Sequence, residues 1–99
     1  MTVAWGRLAL EDRTQQLVAA FERAMALPDP HLFIAAVARD DAIENEGEAL
    51  DGPAVYRLDA IKGAFLYATR DGRYLIAYQR NGNDVYIDRV LPTRRSDGS

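Results

Sequence analysis

Mostly apolar residues recur at steps of three and four along the first half of the chain, which is the spacing of one face of an α-helix. The first run comprises Leu10, Thr14, Leu17, Val18, Phe21, Ala24 and Met25. The charged and amide residues between them are expected to face solvent, which leaves the run to face the core. Pro28 ends this helix, because proline has no amide hydrogen to donate and restricts the residue before it.

A second helix opens at Asp29 and Pro30, an N-cap acceptor followed by proline in the first turn. Its apolar positions are Phe33, Ala36, Val37, Ile43 and Leu50. The turn sequence at residues 51–53 stops it. Residues 9–50 are therefore predicted to form two antiparallel helices joined by a tight connection, an αα-hairpin.

The remaining patterned segments are short and rich in β-branched and aromatic residues, as strands are. They are residues 2–5 before the helices and residues 64–69, 73–80 and 84–91 after them. Residues 55–58 fit either a strand or an ordered loop. This order predicts an α+β domain, in which the three later strands form an antiparallel meander and the helices cover one face of the sheet. The sequence does not say which edge of the meander the first strand joins.

Asn81 and Gly82 form the dipeptide preferred by a two-residue type I′ turn, so they set the register of the last two strands. That register places three pairs on the helix-covered face: Tyr78 with Val85, Ile76 with Ile87, and Tyr74 with Arg89. The opposite face then carries Leu75, Ala77, Tyr86 and Val90. An exposed apolar face is typical of a partner surface, and the alternative is that residues 52–63 or the C-terminal tail cover it.

The chain of 99 residues is large enough for one domain with a single core, predicted over residues 1–92, with 93–99 as a flexible tail. It has no cysteine, which excludes disulfides and thiolate metal sites and favours a reducing cytoplasm. No apolar run has the length of a membrane span, and the first residues do not form a basic signal peptide. We therefore expect a cytoplasmic protein that does not enter a membrane.

The net charge of −3 argues against a broad nucleic-acid surface, since phosphate binding depends on clustered positive charge. The charges are unevenly placed: residues 40–51 are rich in acids, and arginines predominate near the C-terminus. The acidic segment lacks the spacing of an EF-hand, and the glycines form no phosphate-binding or dinucleotide fingerprint. His31, the one histidine, is expected in the first turn of the second helix or on the surface. No metal or cofactor is therefore predicted.

The opening VAWGRLALEDRTQQLVAAF and the ending GRYLIAYQRNGNDVYIDRVLPTRR flank the predicted order of strand, two helices and meander. In these three features the chain resembles the RelE/ParE superfamily, the toxins of bacterial type II toxin–antitoxin pairs. The resemblance spans nearly the whole chain. It implies one of two activities, because the RelE branch cleaves mRNA on the ribosome whereas the ParE branch inhibits DNA gyrase by binding.

The individual residues favour the ParE branch. Where the RelE branch carries two lysines and an arginine, this chain has Leu66, Ala68 and Leu75. The C-terminal tyrosine of that branch would fall beyond Ser99, and Arg95 is retained. Cleavage of RNA requires groups that take and return protons, which arginine does not do because it stays protonated at neutral pH. We therefore expect a toxin without catalytic residues; the alternatives are a ribosome-dependent endoribonuclease, with the ribosome and mRNA as partners, and a non-toxic interaction domain.

The resemblance also implies partners and their sites. A cognate antitoxin would cover the apolar sheet face of Leu75, Ala77, Tyr86 and Val90. DNA gyrase would be contacted through Arg73, Arg89, Arg94 and Arg95. Toxins of this kind often assemble as two toxins with two antitoxins. An ordinary structural role stays open for each arginine, such as a salt bridge between Arg89 and Asp12.

Overall fold

The computed structural model describes residues 2–51, 64–82 and 84–93. In this part of the chain the elements are β1 (Thr2–Trp5), α1 (Arg7–Ala26), α2 (Pro30–Glu48), a short 3-10 turn (Ala49–Asp51), β2 (Ala64–Ala68), β3 (Tyr74–Asn81) and β4 (Asp84–Pro92). These bounds agree closely with the predicted helices and strands. The undecided segment 55–58 and the suggested cover at 52–63 lie outside the described residues. No helix in the described ranges is long and apolar enough to cross a membrane.

The four strands form one sheet in the order β1-β4-β3-β2. β1 runs parallel to β4, from Thr2 opposite Asp84 to Trp5 opposite Ile87, and so joins the β4 edge of the sheet. The other neighbouring strands are antiparallel, which is the predicted meander. Ala9 of α1 and Ile43 of α2 pack into one cluster with the buried face of the sheet. This confirms the α+β arrangement with both helices on one face.

Local signals position the start of each helix. Asp29 caps α2, because its Oδ1 accepts a hydrogen bond from the backbone amide of His31 at 3.1 Å. α1 begins directly after β1, where Gly6 donates its amide hydrogen to the carbonyl oxygen of Ile87 at 2.8 Å. A Cβ atom on Gly6 would lie 2.6 Å from the Tyr86 hydroxyl and 2.9 Å from that carbonyl oxygen. Glycine therefore allows the chain to turn closely over β4.

The core lies between the sheet and the helices. Its buried residues are Ala9, Ile43, Leu50, Tyr67, Ile76, Tyr78, Val85, Ile87 and Val90. The rings of Phe65 and Tyr78, on neighbouring strands, lie 5.3 Å apart between centroids. α2 approaches the sheet closely at Gly47, where an added Cβ would lie 2.6 Å from Cη2 of Trp5. The sheet therefore fills most of the core with large side chains.

The turn between β3 and β4 is displaced by one residue from the prediction. Asn81 pairs with Asp84 and so belongs to β3, whereas the prediction placed it in the turn. Gly82 still supplies the positive φ, at 66°, that a tight turn requires. Tyr78 consequently pairs with Ile87, two residues further along β4 than predicted. Because side chains alternate with a period of two, this change leaves both on the core face, as predicted.

A β-bulge in β4 changes the register a second time. Asp88 is skipped, because the pairing with β3 steps from Ile87 to Arg89. The pairs beyond the bulge are Ala77 with Arg89, Ile76 with Val90, Leu75 with Leu91 and Tyr74 with Pro92, so the predicted pair of Tyr74 with Arg89 is wrong. One extra residue exchanges the two sides of the strand that follows it. Val90 therefore packs in the core, 3% exposed, and its predicted place on the opposite face is wrong.

The buried side of α1 carries small residues. Its buried positions are Ala9, Ala20 and Ala24. The expectation that the run of large residues faces the core is wrong for its largest members, because Phe21 and Met25 are exposed. Since tyrosine, isoleucine and valine side chains of the sheet already fill the space, alanines let the helix approach closely.

Candidate functional site

The face of the sheet away from the helices is largely apolar. We call it the outer sheet face, and by register it carries Leu66, Leu75, Ala77, Tyr86 and Leu91. Tyr86 is 47% exposed, and Leu75 and Ala77 are half-buried. Three of the four predicted antitoxin-binding residues therefore share one accessible face, and only Val90 is removed from it by the bulge.

The structure brings together the three positions at which the RelE branch carries cations. Ala68 lies opposite Leu75, and Leu66 lies opposite Ala77 beside that pair. All these side chains are apolar, so this part of the outer sheet face has no group that could move a proton or bind a phosphate. The polar feature nearby is a contact in which Gln79 Nε2 donates to Asp88 Oδ2 at 2.8 Å. The arrangement suits contact with an apolar ligand.

A second apolar surface runs along the outward side of the two helices. We call it the hairpin strip, and it consists of Val18, Phe21, Met25, Ile34 and Val37. Met25 is 67% exposed and Ile34 is 60% exposed. Phe21 links the helices through an edge-to-face contact with Phe33, at 5.6 Å between ring centroids. Beside these rings an apolar cavity of about 550 Å³ opens at the helical connection.

The apolar character of the hairpin strip is visible in the sequence, but nothing in the sequence directly indicates that these side chains are exposed. The available signal was a second apolar side on α1, formed by Ala9, Ala20 and Ala24, whose spacing of eleven and four residues also fits one helical face. A helix with an alanine side and a large apolar side has two candidate packing faces. Only one of them meets the sheet.

Beside the apolar core, charged pairs also link the helices to each other and to the sheet. The guanidinium of Arg13 donates to both carboxylate oxygens of Asp40, at 2.8 and 2.9 Å, and both side chains are only 15% exposed. Arg13 also lies 4.6 Å above the ring of Trp5. The hydrogen bonds that Arg13 donates to Asp40 raise the pKa of Arg13. This pair therefore joins the helices to each other and to β1.

A second charged pair fixes α1 to the part of β4 that extends beyond its pairing with β1. Arg89 donates through Nε and Nη2 to the two oxygens of Asp12, at 2.8 and 2.9 Å. Asp12 also accepts the backbone amide hydrogen of Val90 at 2.9 Å, an edge group that β1 does not reach. The hydrogen bond from Arg89 lowers the pKa of Asp12, and the Val90 amide acts in the same direction against the effect of burial. The structural role anticipated for Arg89 is thus confirmed.

A basic cleft opens where the helices meet the ends of β3 and β4. We call it the arginine cleft, and it is lined by Arg23, Arg39, Arg73 and Arg89. It consists of two adjoining cavities of about 600 and 430 Å³, which share Arg39, Tyr74 and Pro92. The structure thus brings the predicted Arg73 and Arg89 together, whereas Arg94 and Arg95 lie outside the described residues.

Arg23 and Arg39 could not be recognised from the sequence, because each is a single arginine on a different helix and no local motif connects them. Asp71 lies in the turn before β3 and is influenced by this charge. A hydrogen bond from the Thr69 hydroxyl lowers the pKa of Asp71, and the Arg73 amide and the charges of Arg73 and Arg39 act in the same direction. The cleft is therefore a positive region in a chain of net charge −3.

The described residues contain no cluster of three or more histidine, aspartate or glutamate side chains that could hold a metal ion. His31 lies in the first turn of α2, as expected, with its side chain 87% exposed.

No family model and no curated protein matches the chain. Among solved structures, its fold is similar to that of a chain of the chromosomal ParDE TA system from P. aeruginosa, with a TM-score of 0.69. The two are 18% identical, over 95% of this chain and 97% of that chain. This likeness establishes the fold, and it confirms the architecture that the resemblance in sequence predicted. The chain has the RelE/ParE-like α+β fold.

Proposed function

We propose that this chain is the toxin of a type II toxin–antitoxin pair, that it inhibits DNA gyrase by binding as ParE-like toxins do, and that a cognate antitoxin neutralises it. The observation that carries the proposal is the fold, which is shared with a chain of a ParDE TA system over 95% of this chain and 97% of that chain. The likeness therefore extends over both chains rather than over one common motif.

The chemistry of the outer sheet face supports binding rather than RNA cleavage. Leu66, Ala68 and Leu75 occupy the positions where the RelE branch holds cations. Cleavage requires a base, an acid and positive charge arranged around one phosphate. The described part of that face offers none of these together, whereas a flat apolar surface of this kind suits a protein partner.

The antitoxin covers the two apolar surfaces in this proposal. Leu75, Ala77 and Tyr86 provide contacts on the outer sheet face, and the hairpin strip provides a second and more exposed surface. An antitoxin segment that is disordered alone can wrap both, because ordering on binding lets a short chain cover a large area. An antitoxin helix that docks along the hairpin strip would be recognised through its own apolar residues at helical spacing.

The acidic residues next to the hairpin strip indicate a further property of the antitoxin segment, its charge. Ile34 and Val37 continue along the same side of α2 into Asp41, Glu44 and Glu48, at steps of three and four. All three acids are exposed. We therefore expect the segment to carry apolar residues followed by lysine or arginine, because opposite charges fix the direction and register of a docked helix.

The target is contacted at the basic end of the chain, through Arg73 and Arg89 together with Arg94 and Arg95. Arg73 is exposed and available, and Arg89 is positioned by Asp12. Two toxins and two antitoxins form the inhibited assembly, and the toxin acts in the cytoplasm, where gyrase is found.

A supercoiling assay with purified gyrase tests the proposal. The folded chain in excess is expected to inhibit supercoiling, and addition of the antitoxin is expected to restore it. Arg73→Gln should weaken inhibition, whereas Arg7→Gln should not, because Arg7 is an exposed residue that pairs with Glu11 and does not line the arginine cleft. Full supercoiling at excess folded toxin contradicts the proposal.

Two further readouts identify what the chain does if gyrase is unaffected. Codon-linked cleavage of mRNA in a translation extract, abolished by Arg95→Ala, would assign it to the RelE type. Harmless overexpression in cells without the antitoxin would assign it to a non-toxic interaction domain.

A further inference from the structure

The arginine cleft has a volume in the range of a small-ligand site. Its two cavities, of about 600 and 430 Å³, adjoin at Arg39 and Tyr74. Ligand pockets in proteins usually enclose a few hundred to about 1,000 Å³. Among the described lining residues there are four arginines and one acid, Asp12, and that acid is occupied by Arg89.

The positive charge of the cleft is only partly balanced within the described ranges, by Asp12 beside Arg89 and by Asp71, whose pKa the charges of Arg73 and Arg39 lower. The side chains of Arg23, Arg39 and Arg73 make no hydrogen bond or salt bridge with another described residue. Arg39 is half-buried, a position in which arginine is normally paired.

Two of the acids close to Arg39 in sequence are occupied elsewhere, whereas Asp41 is exposed to solvent. Asp40 binds Arg13, and Glu46 accepts hydrogen bonds from the Tyr67 hydroxyl and the Arg70 amide. Arg39 therefore has no bonded carboxylate partner among the described residues of α2, and the carboxylate on which its charge acts is Asp71, whose pKa it lowers together with Arg73.

We propose that the arginine cleft binds the phosphate groups of a nucleotide-sized ligand. The planar guanidinium matches phosphate oxygens with two parallel hydrogen bonds, which makes arginine suited to this anion. Arg39 lies where the two cavities meet, so it contacts a ligand in either one. Arg23 lines the larger cavity and Arg73 the smaller, and together they provide charge for two or more phosphates.

Neutral groups support the same assignment. Thr93 lines the smaller cavity, and its hydroxyl oxygen is buried with no hydrogen-bond partner among the described residues. Tyr74 lines both cavities and is held in place by donating its hydroxyl hydrogen to Gln16 Oε1 at 3.2 Å. A buried hydroxyl without a partner is costly, and an incoming oxygen acceptor would satisfy it.

A small phosphorylated ligand fits better than a nucleic-acid strand. The chain is acidic overall, and α2 exposes Asp41, Glu44 and Glu48, which would repel an extended phosphate backbone. The cleft also differs from the RNA-cleaving site of the RelE branch. The positions of that site, Leu66, Ala68 and Leu75, lie on the outer sheet face, whereas the arginine cleft is bounded by both helices.

Isothermal titration calorimetry on the purified chain alone tests this inference without gyrase or antitoxin, so its outcome is independent of the toxin assignment. The chain is titrated separately with ATP, with pyrophosphate, with inorganic phosphate and with a short DNA duplex. The variants are Arg39→Gln and Arg73→Gln, and the control is Arg7→Gln, which removes the same charge from an exposed residue outside the cleft. Circular dichroism verifies that each variant is folded.

The expected result is binding of ATP and pyrophosphate that weakens about tenfold or more in Arg39→Gln, in line with the loss of a charge-assisted hydrogen bond. Arg73→Gln should weaken it as well, and because Arg73 is exposed this variant keeps the test valid if Arg39→Gln does not fold. Arg7→Gln should leave affinity within about twofold, as expected for a screened distant charge. Absence of binding, an equal loss in Arg7→Gln, or binding of the duplex alone would overturn the inference.

Discussion

The two sides of the helical hairpin depart from the usual arrangement of a surface helix. The outward side carries the hairpin strip, where Met25 is 67% and Ile34 60% exposed. The side toward the sheet carries small and charged residues, such as the fully buried Ala9 and the pair of Arg13 with Asp40, next to the large buried Ile43. A surface helix normally buries its large apolar side chains and turns charges to water. Helical spacing therefore shows which residues share a face of a helix, but it does not show whether the sheet, solvent or a partner covers that face.

The hairpin strip is expected to contribute to the free energy of partner binding, and the sheet-facing side to the free energy of unfolding. Side chains of the hairpin strip gain little from folding, because they remain exposed in the folded chain and folding stabilises only the apolar area removed from water. That gain is realised when a partner covers them. Residues on the sheet-facing side are already enclosed, so their replacement should destabilise the fold whether or not a partner is present.

The largest expected contrast is between two isoleucines of α2. Ile43 is 1% exposed, and Ile43→Ala should lower the free energy of unfolding by about 3 kcal/mol, because it leaves a cavity in the core. Ile34→Ala should change it by less than about 0.5 kcal/mol, as is usual for exposed positions. Urea unfolding followed by the fluorescence of Trp5, the one tryptophan, measures both. Equal losses for the two variants would show that the strip contributes to the fold.

The next contrast concerns the two acids that contact Arg13. Asp40→Asn should destabilise the fold by about 2 kcal/mol, because it breaks a charged, two-bonded contact that is largely enclosed. Glu44→Gln should cost less than about 0.5 kcal/mol, since Glu44 is 55% exposed and lies 3.4 Å from Arg13. The same unfolding experiment at pH 7 applies. A larger effect at Glu44 would contradict the view that the enclosed pair joins the helices.

A smaller, pH-dependent effect is expected at Asp12. Its pKa is below the ordinary value of 3.8 in the folded chain, so its ionised form contributes stability above about that pH. This contribution is lost as the pH falls through the lowered value. Asp12→Asn should therefore destabilise the chain at pH 7, and the difference from the natural chain should shrink below pH 3.8. If the difference in stability between Asp12→Asn and the natural chain is the same at every pH, the negative charge of Asp12 does not contribute to its contacts with Arg89 and Val90.

The sequence was sufficient for the order of elements, the Asp29 cap and the positive φ at Gly82, because each depends on local spacing or on one residue type. It was not sufficient for the bulge at Asp88, since an extra residue in a strand depends on pairing with its neighbour. That single bulge moved Val90 from the outer sheet face into the core.

The candidate sites also differ in how far the sequence could predict them. The apolar character of Leu75 and Tyr86 could be deduced from strand alternation. The arginine cleft could not, because Arg23 and Arg39 come from different helices and meet Arg73 only in the folded chain. The orientation of α1 also escaped prediction, since it depends on how closely the sheet allows a helix to approach.

The most direct test of the account is the affinity of the antitoxin for a chain with a charged hairpin strip. Met25→Glu combined with Ile34→Glu should leave the unfolding transition nearly unchanged and should weaken antitoxin binding about a hundredfold or more, as loss of buried anchors at an interface does. The same charge change at Ala38 and Ala35, which are exposed small residues of α2, serves as control. Unchanged affinity in the first variant would contradict the claim that the outward side of the hairpin exists for a partner.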